Sequence, residues 1–205
     1  METSLTILYT HRLRGDLALL PRLYTFIQRL RAEHAGAGRV LLLDLGESCA
    51  PNVFPCALTG GRSTLIALDA MGCDAANVRG ALTPEDRARL ESAHLRVTLV
   101  DEAHRLEQPG LVVGAADGIA DSALYIEIDP APATQLVDER LRLAGIASGQ
   151  VGMARLNATE ASWRLAADGI FAMPPDTRPT PTISGMIELI LAEARYTQKR
   201  RGAAG

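Results

Sequence analysis

The sequence predicts an α/β protein in which a mostly parallel sheet is followed by a second, more antiparallel one. Three observations carry that expectation. From residue 5 to residue 115, β-rich segments alternate with helical ones, the pattern of strand–helix–strand crossovers. Val40 to Asp44 is a nearly continuous apolar run, as in a strand covered on both faces. After residue 120 the helical segments give way to a series of strand-like ones.

Taken in order, residues 5–10 alternate and are rich in β-formers, which predicts a strand. Leu20, Leu23, Tyr24, Ile27 and Leu30 then recur at helical spacing, with Pro21 suited to a first turn. Ala35-Gly36-Ala37-Gly38 closes that helix, and Val40–Asp44 completes a βαβ beginning. A second helix is expected over 62–71 through Leu65, Leu68 and Met71, then a short strand over 74–78. Thr83-Pro84-Glu85-Asp86 offers a capping hydroxyl, a proline at the first helical position and acids in the first turn, so a helix should run to about Ala93.

Strands are expected near 96–100, 111–115, 123–128, 141–147 and 151–157. Within Trp163–Phe171, Asp168-Gly169 lies between two apolar arms and predicts a hairpin turn. Pro174, Pro175, Pro179 and Pro181 form an extended bridge into a last helix with Thr182 as its cap. That helix carries a stripe of Ile183, Met186, Ile187, Ile190, Leu191 and Ala194, read as core packing or an oligomer contact.

A chain of 205 residues with 47% apolar content can bury one substantial core, so a single domain over 1–205 is the economical reading. A net charge of −3 leaves no electrostatic footprint for nucleic acid, and Lys199-Arg200-Arg201 is the only basic run. Twenty arginines against one lysine is a lopsided usage from which no function follows. No secretory signal and no apolar run of about 18 residues is present, which predicts a cytoplasmic protein without membrane association. Cys49, Cys56 and Cys73 are an odd number with no export signal, so free thiols are expected, with a Cys49–Cys56 bridge or soft-metal site as the alternative.

Three turns hold the residues of interest: Thr10-His11-Arg12-Leu13-Arg14-Gly15, Leu43-Asp44-Leu45-Gly46-Glu47, and Leu68-Asp69-Ala70-Met71-Gly72-Cys73-Asp74 with the strand end that follows it. In order and spacing these phrases resemble the 5′-nucleotidase branch of the calcineurin-like metallophosphatases. The resemblance is best over about residues 4–115 and looser over 141–190, within a domain whose parts are a best-matching half at 1–115, a second-sheet half at 116–173, and a Pro-rich bridge with the C-terminal helix at 174–205. Gly149-Gln150-Val151-Gly152 is similar to the family's strand before its linker, whereas 116–140 offers no counterpart of its Gly-His-x-His segment.

The resemblance implies a layered α-β-β-α sandwich of metallophosphoesterase type, with mixed sheets and flanking helices. It also implies a pair of divalent metals at the sheet's C-terminal edge, clamping a phosphate and activating water. At the family's ligand positions this chain places Arg12 and Arg14 for the first Asp and His, Glu47 for the bridging Asp, and Gly80-Ala81 for an Asn-His pair. Guanidinium offers donors only and repels a cation. Only Glu47 keeps a ligand-type side chain, which predicts no dinuclear centre and no cofactor. The chain also ends where larger relatives continue into a nucleotide-specificity domain, so inherited substrate recognition would be incomplete.

Two readings of the arginines stay open. Arg12, Arg14 and Arg79 could gather at one edge and hold phosphate, carboxylate or another small anion. Alternatively Arg12 or Arg14 pairs with Glu47 or Asp44 and fills the vacated cavity. His11 is either a turn histidine satisfied by backbone or, with Glu47 and one cysteine, part of a mononuclear site for Mn, Zn or Mg. His34, His94 and His104 are expected to be exposed, and Asp44 to be structural. Gly15 and Gly46 should supply backbone conformations that side chains resist. Asp117 and Asp121 are a weak acid–base pair. Walker, G-x-G-x-x-G, H-E-x-x-H and G-x-S-x-G motifs are absent. The leading expectation is a degenerate relative that binds an anion or acts as an interaction module. An active phosphoric-ester hydrolase with a rebuilt site, and a structural subunit of a homo-oligomer, are the alternatives.

Overall fold

The structure is a computed structural model that describes residues 4–34, 36, 38–50, 52–116, 124–160 and 162–203, the last three by backbone alone. Strand β1 (Ser4–Thr10) leads through helix α1 (Leu20–His34) into β2 (Arg39–Asp44), the expected opening unit. A four-residue α2 (Cys56–Thr59) and α3 (Arg62–Ala70) precede β3 (Ala75–Asn77), then α4 (Pro84–Ser92) and β4 (Thr98–Val100). The second half is β5 (Leu106–Gln108), β6 (Leu111–Gly114), β7 (Leu124–Ala131), β8 (Gln135–Val137), β9 (Arg140–Ala144), β10 (Gln150–Ala158), β11 (Trp163–Ala172) and α5 (Pro181–Ala203).

These strands form two mixed sheets. One has six strands in the order β11-β10-β1-β2-β3-β4, and the other has five in the order β5-β6-β7-β9-β8. Alternation along β1 explains how the layers meet. Leu5, Ile7 and Tyr9 enter a core between the sheets with Leu41, Leu43, Ile126 and Leu141, whereas Leu8 and Leu42 join the helices on the other face. β2 is apolar on both sides because both sides are covered, as its composition requires.

Four expectations are corrected. The segments at 151–157 and 163–171 do not build the second sheet: β10 pairs antiparallel with β1, extending the first sheet, while β6 belongs to the second. Asp168-Gly169 makes no hairpin. β11 runs straight through it, paired with β10 from Trp163 to Ala172, and Gly169 packs against the Phe171 ring instead of turning. Helix α5 starts at Pro181, so Thr182 lies inside it and the Thr180 hydroxyl bonds Thr25 Oγ1 at 2.6 Å. The fourth is the pair of free thiols at 49 and 56, which form a disulfide across a Cα–Cα separation of 5.7 Å because the loop folds back beside Gly15. Cys73 is free and buried.

The stripe of α5 packs on this chain's own core: Ile183, Ile187, Ile190 and Ala194 are buried, and Met186 and Leu191 lie against the helix-side cluster. Among the described residues, no helix is long and apolar enough to cross a membrane. Thr83 caps α4 as expected, its Oγ1 accepting the Asp86 N–H at 3.1 Å. Thr83→Ala should therefore cost about 1 kcal/mol, read as a lowered urea midpoint at unchanged slope.

Candidate functional site

The parallel strands β1, β2 and β3 end side by side, and the turns that leave them carry the residues singled out above. A backbone ladder locks the first two turns together. Leu45 N–H bonds Thr10 O at 2.8 Å, Arg12 N–H bonds Gly46 O at 3.0 Å, Arg14 N–H bonds Glu47 O at 3.0 Å, and Gly15 N–H bonds Ser48 O at 2.8 Å. To make these bonds Arg12, Arg14 and Glu47 adopt left-handed φ values of 59°, 52° and 51°. Side chains resist this region, at a cost on the order of 1 kcal/mol or more each. Gly15 and Gly46, at φ 78° and 102°, occupy it freely, as expected.

The three strained residues converge. Arg12 Nε and Arg14 Nη2 each lie 3.2 Å from the Glu47 carboxylate, one on each oxygen. Partial desolvation pushes the Glu47 carboxyl up, but the hydrogen bonds from Arg14 and Arg12 together outweigh it and hold the group below its ordinary range. Buried His11 stands with Nε2 3.7 Å from the same carboxylate. Burial first, then the Arg12 charge, pushes the imidazole below its ordinary range, so it is neutral at neutral pH. The Glu47 carboxylate and the Ile146 backbone face it, but neither ring nitrogen completes a hydrogen bond among the described residues.

Asp44 is structural, as expected. Fully buried at the end of β2, it accepts from Thr10 Oγ1 at 2.9 Å, from Gly46 N–H at 3.2 Å and from the Ser48 hydroxyl. Burial still dominates and raises its carboxyl to about 6.

Arg79 does not join Arg12 and Arg14. Its Nε donates to Glu102 at 2.9 Å and its Nη1 to Asp129 at 2.7 Å. Asn77, at the end of β3, fixes this third turn: its amide nitrogen donates to Leu45 O at 3.3 Å and its Oδ1 accepts Arg79 N–H at 3.1 Å. Sequence reasoning missed Asn77, Glu102 and Asp129. Asn77 ends a strand beside two singled-out turns and could have been found by that signal. Asp129, on β7 of the second sheet, and Glu102, in the connection after β4, are distant in the chain and carry none.

Glu47, Arg79, Gly80 and Ala81 line one cleft of about 410 Å³, together with the Cys49–Cys56 bridge, Thr83 and Asp86. The turns therefore do meet at one edge. A larger cleft of about 690 Å³ beside β4 and β5 contains His104 and Asp101, 2.9 Å apart. That pair is a local turn, since the same Asp101 oxygen accepts the N–H groups of Ala103 and His104. His104 and His94 are exposed and His34 is half-buried. Asp117 and Asp121 lie outside the described residues.

A dinuclear metal centre needs several oxygen and nitrogen donors converging on each ion. The residues at these positions do not fit one. Glu47 is a carboxylate already neutralised by two guanidiniums, and Gly80 and Ala81 have no donor side chains. A cysteine ligand for a mononuclear site is not at hand either, because Cys49 and Cys56 bond each other and Cys73 is buried on the helix side of β2. Among the described residues, no group of three His, Cys, Asp or Glu side chains is placed to hold a metal.

No protein-family model and no curated protein sequence matches the chain. Solved structures do. The calcineurin-like phosphoesterase YfkN from Bacillus subtilis superposes with a TM-score of 0.60 and 12% identity, over 97% of this chain and 100% of that one. The sulfate thiohydrolase SoxB from Thermus thermophilus, in complex with glycerol, superposes with a TM-score of 0.65 and 14% identity, over 92% of this chain and 60% of that one. The chain therefore has the calcineurin-like phosphoesterase fold, and at these identities the likeness is one of fold alone.

Proposed function

We propose that this chain is a degenerate phosphoesterase-fold protein that does not hydrolyse phosphate esters through a dinuclear metal centre and acts by binding. One observation carries the reading. Glu47, the one ligand-type side chain among the positions that correspond to the family's metal ligands, is closed over by Arg12 and Arg14 at 3.2 Å each. A divalent cation approaching Glu47 would have to displace two cations that it also repels.

The same cluster favours a small anion as the ligand class. Two guanidiniums against one carboxylate leave one positive charge in excess (2 − 1 = 1), and Arg12 and Arg14 are 50% and 63% exposed. Arg79 is matched by Glu102 and Asp129, which leaves Arg12 and Arg14 as the anion-facing pair. The Cys49–Cys56 bridge favours a compartment that does not keep thiols reduced over the cytoplasm expected from the sequence. Alkylating free thiols in freshly lysed cells decides between the two.

The test is turnover. The purified chain, given manganese and a generic phosphomonoester, should show no hydrolysis above the metal-only blank. Arg12→Asp with Arg14→His should increase manganese uptake measured by equilibrium dialysis. Metal-dependent turnover by the unmutated chain would remove the degenerate reading.

A further inference from the structure

The bridge between Cys49 and Cys56 is built into the candidate cleft. Its sulfurs are packed from two sides. A Cβ at Gly15 would stand 2.6 Å from Cys56 Sγ, so the glycine brings its backbone directly against the bridge. Thr64, fully buried on α3, places its hydroxyl 3.5 Å from Cys49 Sγ, to which it donates, and 3.8 Å from Cys56 Sγ. On the remaining side the bridge faces the 410 Å³ cleft. The cleft walls there are small residues, Ala50, Ala57, Gly60, Gly61, Gly80 and Ala81. The two sulfurs are unequal: Cys49 is half-buried and Cys56 is 2% exposed.

Exchange at a disulfide depends on which sulfur an incoming thiolate can reach and on how well the departing sulfur is stabilised. Here the reachable sulfur is Cys49, and the departing one lies beside a buried hydroxyl. We infer that Cys49–Cys56 is a thiol–disulfide exchange site, opened by a low-molecular-weight thiol that enters the cleft. Glu47, Arg79 and Asp86 line the same space, so a thiol bearing both ammonium and carboxylate groups suits it. The thiolate attacks Cys49 Sγ. The bond between the two cysteine sulfurs breaks, and its electron pair leaves on Cys56 Sγ, toward which the Thr64 hydroxyl, 3.8 Å away, turns from Cys49 as the charge develops. A second thiol attacks the mixed disulfide and releases Cys49. Two thiols become one disulfide, and their two protons and two electrons leave the bridge as two cysteine thiols. The step involves no phosphoester and does not rest on the loss of hydrolysis proposed above.

The full native chain incubated with reduced glutathione, quenched with iodoacetamide and mapped by mass spectrometry tests this. Without denaturant, alkylation should appear at Cys49 but not at Cys56 or Cys73, both buried, and a second label added with denaturant should then find Cys56 as a thiol. Cys56→Ser given oxidised glutathione should carry the glutathionyl group on Cys49. Thr64→Val should slow opening about five- to tenfold, and Thr64→Ser should restore the rate. A bridge that opens only in denaturant, a glutathionyl group absent from Cys49 of folded Cys56→Ser, or an undiminished rate in Thr64→Val would each overturn the inference.

Discussion

Gly152→Val should destabilise the chain by about 3 kcal/mol or more, a large share of the whole stability of a domain this size. Gly152 lies on β10 directly opposite Tyr9 of β1, and a Cβ at 152 would overlap the Tyr9 ring. Tyr9 is wholly buried and reaches across to the second sheet, its hydroxyl 3.5 Å from Thr134 Oγ1. The ring cannot move aside without giving up the packing between sheets. Urea unfolding of Gly152→Val, Tyr9→Ala and the double variant measures the effect and its origin. The double variant should be less destabilised than the sum of the singles, because removing the ring removes the clash. Additive losses would show that the glycine is needed for another reason.

The second large effect is a pH dependence at Asp44. Its carboxyl is raised from 3.8 to about 6, first by burial and against hydrogen bonds from Ser48, Thr10 and Gly46. Between those values the folded chain keeps a proton that the unfolded chain has released. The contribution is fully present below about pH 4 and is lost as pH rises through about 6. A shift of that size corresponds to about 3 kcal/mol. Asp44→Asn cannot titrate, so the difference in unfolding free energy between it and the unmutated chain should move in favour of the variant by about that amount from pH 4 to pH 7. A difference independent of pH would mean that Asp44 is ionised throughout.

Much of this molecule was legible in its amino-acid order, and the rest was hidden for physical reasons. The first βαβ unit announces itself because β1, α1 and β2 are adjacent in the chain and each carries its own periodicity. The placement of β10 and β11 does not, because alternation says which face of a strand is apolar but not which strand it will lie beside. Asp168-Gly169 illustrates the same limit: the dipeptide favours a turn only when neighbouring strands leave it unpaired, and β10 does not. At the candidate site, the permanent positive charge of Arg12 and Arg14 was readable from residue type, and so was their pairing with Glu47 as one of two alternatives. The separation of Arg79 was not, since Asp129 arrives from the second sheet. The disulfide was readable only as the lesser alternative to free thiols, since its seven-residue spacing matches no motif and its closure depends on the loop's return path.

The seat of β1 has a consequence for biogenesis. One flank of this strand, Ser4–Thr10, is filled by β2 within a few dozen residues, but the other is filled only by Gly152–Asn157. A ribosome delivering the chain in order leaves that flank open until β10 has emerged. Nascent chains arrested before β10 emerges should be the ones that chaperones hold and that self-associate when they do not.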